Sequence, residues 1–65
     1  MRMDVLTEMF RSNGDSNAAA AKKIGMTKAS LSRKMNGKVG WTLADLQNLK
    51  REYDMSIEDI DVIFF

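Results

Sequence analysis

Cysteine, histidine and proline are all missing from this chain of 65 residues. Without cysteine there is no disulfide, no thiolate metal site and no thiol nucleophile. Without histidine the commonest general base and metal ligand is gone. No apolar run approaches the length of about 20 residues that spans a bilayer, and no signal-peptide pattern follows Met1. A soluble intracellular protein is therefore expected. At this length one domain with one small core is expected over residues 1–65. No acid–base or nucleophile cluster stands out, so neither catalysis nor a cofactor is expected. The acidic group Glu58, Asp59 and Asp61 reads as a solvated helix face rather than a metal site.

Net charge is also scarce, at +1, but its distribution is uneven. Between Ser16 and Ala44 the only charged residues are Lys22, Lys23, Lys28, Arg33, Lys34 and Lys38. Between Glu52 and Phe65 they are Glu52, Asp54, Glu58, Asp59 and Asp61. A basic middle and an acidic end can give a small domain one phosphate-binding face and one face turned from it.

Absence of proline and recurrence of apolar residues at three- and four-residue spacing predict an all-α chain. A first helix is expected over Asp4 to Asn13, with Val5, Leu6, Met9 and Phe10 on one face, Asp4 as its cap and Gly14 as its stop. A second runs from Asn17 to Ile24, capped by Ser16 and favoured by the run Ala18 to Ala21. A third follows Met26, capped by Thr27, with Leu31 and Met35 facing inward and Asn36-Gly37 closing it. Thr42 and Asp45 form a capping-box variant for a fourth, whose apolar stripe is Leu43, Leu46, Leu49 and Tyr53. Ser56 and Asp59 repeat that signal for a fifth, marked by Ile57, Ile60 and Ile63. Trp41 and most of the six methionines are expected in the core. Phe64 and Phe65 either fold back onto the first helix or form a dimer seam with Val62.

The second and third helices, with their turn, span about residues 16–36 and have the length and spacing of a helix-turn-helix. Ala21 lies at the expected crossing, where a larger side chain would force the helices apart. Gly25 suits the positive backbone angle of a sharp turn. Ile24, Met26 and Leu31 supply the apolar wedge.

Ala21, Gly25, Thr27, Asn36 and Gly37, with the stretch Leu31-Ser32-Arg33-Lys34-Met35-Asn36-Gly37-Lys38, resemble the phage repressor and Cro type (XRE-like) of helix-turn-helix domain. Trp41-Thr42-Leu43, Leu46, Leu49, Met55-Ser56-Ile57 and Ile60 resemble its fourth and fifth helices, and the ending Ile63-Phe64-Phe65 is similar to small phage Cro-like regulators. Lys34 departs from the pattern, since that position is often apolar in the family. The resemblance implies a compact five-helix, lambda-repressor-like fold and a cytoplasmic transcriptional regulator, in a bacterial cell or a phage-infected host. Helix 27–36 would enter the major groove of double-stranded DNA, and a homodimer would read a near-palindromic operator. Base contacts would come from Lys28, Ala29, Ser32 and Arg33. Phosphate contacts would come from Ser16, Asn17, Asn36, Lys38 and Thr42, with Lys22, Lys23 and Lys34 as weaker candidates. The alternative is a protein-interaction module that binds and modulates another phage repressor, as the weak net charge and the acidic, apolar C-terminal part suggest.

Overall fold

The structure, a computed structural model, describes residues 1–65 and contains five helices and no strand. They are α1 (Met3–Ser12), α2 (Asn17–Lys23), α3 (Lys28–Met35), α4 (Leu43–Glu52) and α5 (Ile57–Phe64). None is long and apolar enough to cross a membrane.

Four of the five helices start where a hydroxyl side chain caps them. Ser16 Oγ accepts the Ala19 amide at 3.2 Å and Thr27 Oγ1 the Ser30 amide at 3.1 Å. Thr42 with Asp45, and Ser56 with Asp59, form reciprocal capping boxes. The first helix is the exception. It begins at Met3, its N-cap Arg2 offers no side-chain bond, and Asp4 lies inside the first turn rather than capping it. Asp4 instead accepts two bonds from the Arg2 guanidinium, at 3.0 and 2.8 Å, which holds its carboxyl down at about 2. An acid in the first turn also complements the helix dipole.

The helix ends share one device. After α1, α2 and α3 a glycine takes positive φ, and the next amide reaches back to the carbonyl five residues before it: Asp15 to Phe10, Met26 to Ala21 and Lys38 to Arg33, each at 2.9 Å. This is the Schellman pattern, which satisfies carbonyls the helix leaves open. Met55 does the same to Lys50 at 3.0 Å after α4, but there the left-handed residue is Asp54, at φ 50°.

The core holds nine buried side chains: Leu6, Phe10, Ala20, Ala21, Ile24, Leu31, Leu49, Met55 and Ile63. Every helix contributes to it. Ala20 and Ala21 are both buried, and α2 packs closely on α3 across them. Met3, Met9, Met26 and Met35 pack against the core as half-buried filler. Trp41 is half-buried as well, edge-on to Phe64 with centroids 5.1 Å apart. Its buried indole Nε1 has no hydrogen-bond partner.

The apolar stripes of the last two helices are narrower than their periodicity predicts. Leu46 and Tyr53 are half-buried and Leu49 fully buried, but Leu43, at the open first turn of α4, is 72% exposed. In α5, Ile63 is buried and Ile60 half-buried, while Ile57 is 67% exposed. Leu43 and Ile57 are the first residues of their helices and overhang the small core, whereas Leu46 and Ile60, one turn on, pack against it. The C-terminal aromatics divide. Phe64 turns onto Trp41, whereas Val62 and Phe65 remain exposed. Where α5 meets α1, the Arg2 amide donates to the Ile63 carbonyl at 2.7 Å.

Asp54→Gly should raise unfolding stability by about 1 kcal/mol, because a β-carbon is costly in the left-handed region. Gly25→Ala should lower it by about 1–2 kcal/mol for the same reason, with no steric contribution, since no atom lies within 4 Å of the added carbon. Urea unfolding of both variants checks the pair of opposite signs.

Candidate nucleic-acid interface

The turn between α2 and α3 is short and held from three sides. Gly25, at φ 79°, redirects the chain, and the Met26 amide closes onto Ala21. Ile24 and Leu31 are buried between the helices. From α4, the Asn48 side-chain amide donates to the Ile24 carbonyl at 3.3 Å, so a third helix braces the turn. This brace had no local signal in the sequence, because the partners are 24 residues apart.

With Leu31 turned inward, α3 presents Lys28, Ala29, Ser32 and Arg33 to solvent, and all four are exposed. Neither Lys28 nor Arg33 pairs with any acid. Ser32 Oγ accepts a long bond, 3.4 Å, from the Asn36 side chain. Ser16, Asn17, Asn36, Lys38 and Thr42 are exposed too. Ser16 and Thr42 use an oxygen lone pair to cap their helices, which leaves each hydroxyl proton free to donate elsewhere. Asn36 is the C-cap of α3, and Lys38 follows it in the α3–α4 loop. Ser16, Asn17, Asn36, Lys38 and Thr42 thus lie at helix ends or in the loop, flanking α3 in the chain.

The three weaker candidates separate clearly. Lys22 is exposed and unpaired. Lys23 is committed within the chain: it bonds Asp15 at 2.7 Å and lies 5.4 Å from the centre of the Tyr53 ring. The Tyr53 hydroxyl donates to the same Asp15 oxygen at 2.7 Å. Burial and the nearby Asp15 carboxylate push the Tyr53 hydroxyl well above its ordinary value, so it stays a donor. Lys34 is committed as well. Its side chain is 12% exposed and its ammonium bonds the Asp45 carboxylate and, at 3.4 Å, the Gly40 carbonyl. Burial alone would raise the Asp45 carboxyl, but the Lys34 bond and the Thr42 backbone amide outweigh it, and the net shift is downward. Lys34 therefore occupies an inward-facing position with its charge neutralised. This resolves its departure from an apolar residue: the stem is packed and the tip is paired.

Pairing redistributes the charge of the folded chain. Of ten lysines and arginines, Arg2, Arg11, Lys23, Lys34 and Arg51 are paired. The cations left over are Lys22, Lys28, Arg33, Lys38 and Lys50, and four of these lie between α2 and the α3–α4 loop. The acids left over are Asp54, Glu58, Asp59 and Asp61, all at the α5 end of the chain. Each pair removes one cation with its acid, so of the six charges of the basic segment Lys22, Lys28, Arg33 and Lys38 remain unpaired. No family model, curated protein or solved structure matches the chain.

Asp15 is held below its ordinary value of 3.8 by Lys23 first and Tyr53 second, and Asp45 is also lowered. A lowered folded value means stability that is present above 3.8 and lost as pH falls below it. Unfolding free energy should accordingly decline below that pH, and Asp45→Asn should flatten the decline, as acid titrations in urea will show. Arg33→Ala, by contrast, should change stability by no more than about 0.5 kcal/mol at neutral pH, because the side chain has no partner to lose.

Proposed function

We propose that this chain is a sequence-specific binder of duplex DNA, a transcriptional regulator of Cro-like type that lays α3 in the major groove. The observation that carries this reading is the coincidence of exposure and lack of pairing at Lys28 and Arg33 on the outward face of a braced helix. A cation that has no acid partner gives up little when it meets a phosphate or a base edge. An α-helix with its side chains is about 10–12 Å across, which the major groove, about 12 Å wide, admits.

In this reading Arg33 donates a bidentate pair to guanine N7 and O6, Lys28 reaches similar acceptors, and Ala29 meets a thymine methyl. Ser32 adds a short polar contact. Lys38, Asn36 and Thr42 hold phosphate on one side of the groove, and Ser16 and Asn17 on the other. A single module of this size covers a short half-site, and two copies on half-sites about one helical turn apart supply useful specificity. Repression then follows from occlusion of polymerase.

A second reading, a module that binds and modulates another repressor, has one observation in its favour. Leu43, Ile57 and Phe65 are exposed around an apolar groove shared by α4 and α5, which Lys50 also lines.

Titration onto random-sequence duplex at several salt concentrations separates the two. A DNA binder gives a linear fall of log affinity with log salt, with a slope of about −0.9 per phosphate neutralised. A partner module gives almost no binding. On a site recovered by selection from a random pool, Arg33→Ala should cost about 1–3 kcal/mol and relax preference at one base pair.

A further inference from the structure

We propose that Lys34 is a positioning residue for phosphate binding: it fixes the loop that carries Lys38 and Thr42, without touching DNA itself. The inference rests on the DNA-binding reading above and deepens it.

Three observations converge on Lys34. Its side chain leaves the last turn of α3 almost wholly covered, at 12% exposure, so its charge is poorly placed to meet a phosphate directly. The ammonium holds the Gly40 carbonyl, at the far side of the α3–α4 loop, and the Asp45 carboxylate, in the first turn of α4. The Asp45 oxygen it holds is the same one that accepts the Thr42 amide at 2.9 Å, so Lys34 and the α4 capping box share an anchor.

The near side of the loop is already secured. The Lys38 amide closes onto the Arg33 carbonyl at 2.9 Å as part of the α3 end. Lys38 therefore sits between two fixed points, one made by the backbone of α3 and one by the Lys34 side chain. Without the second, Gly40 loses its direct link to α3, and the α4 side of the loop is held only by the packing of Trp41 and the Thr42–Asp45 box. An apolar residue at position 34 could fill the same volume but could not hold a carbonyl and a carboxylate. The flexible stem and compact charge of lysine suit this reach.

The test measures affinity and salt slope on random-sequence duplex DNA for the unsubstituted chain, Lys38→Ala, Lys34→Met and the double variant Lys34→Met/Lys38→Ala. Lys38→Ala should lower the slope by about 1. Lys34→Met should give a similar loss, and the double variant should lose no more than either single one, because both remove the same contact. Amide hydrogen exchange at Lys38, Val39 and Gly40 should quicken in Lys34→Met while α1 and α5 keep their protection. Lys34→Met/Asp45→Asn, which leaves a capping acceptor and no unpaired carboxylate, serves if the single substitution does not fold. An unchanged slope in the folded Lys34→Met variant overturns the positioning role. So do losses that add in full, since they make Lys34 a separate contact. Absence of salt-dependent binding by the unsubstituted chain overturns the DNA reading, and this inference with it.

Discussion

The close approach of α2 and α3 is the constraint on which the rest depends. It requires two consecutive small residues at the crossing, and Ala20 and Ala21 are both buried there. It also requires a change of direction within four residues, which Gly25 permits. With Leu31 wedged into the same contact, the rotation of α3 is fixed, and so is the identity of the side chains it turns outward. A bulkier residue at the crossing would act on the outward face without touching it.

Around this contact the fold sorts charge by pairing it. Asp15 and Asp45, the acids that flank the basic segment in the sequence, are each paired with a lysine from that segment. The exchange is useful in both directions. Lys23 and Lys34 become structural links to the α1–α2 loop and to α4, while Lys28, Arg33 and Lys38 are left without an ion-pair partner that would compete with an anionic ligand. Small net charge therefore understates how unevenly the unpaired charges are distributed along the chain.

What the sequence made legible was chiefly local. Caps at Ser16, Thr27, Thr42 and Ser56, and the glycine stops, depend on residues within four positions of one another, and each lies where its pattern predicts. Asp4 failed because the helix starts one residue before it, at Met3, so Asp4 lies inside the first turn, where it pairs with Arg2. Leu43 and Ile57 failed because periodicity marks a helix face without saying how far the core extends beneath it. Asn48 with Ile24, Lys34 with Asp45 and Tyr53 with Asp15 were invisible for another reason. Their partners are 24, 11 and 38 residues apart, and only the assembled fold brings them together. The exposure of Lys28, Ala29, Ser32 and Arg33 followed from the inward placement of Leu31 alone.

The bond from the Arg2 amide to the Ile63 carbonyl brings the two ends of the chain side by side. Topologically the domain is nearly a ring, open at one point. Its longest loop is the whole polypeptide, and the docking of α1 on α5 closes it last in any order of events that favours short loops. A short peptide joining the ends would spare the chain that final entropy loss and leave the α2–α3 unit as it is.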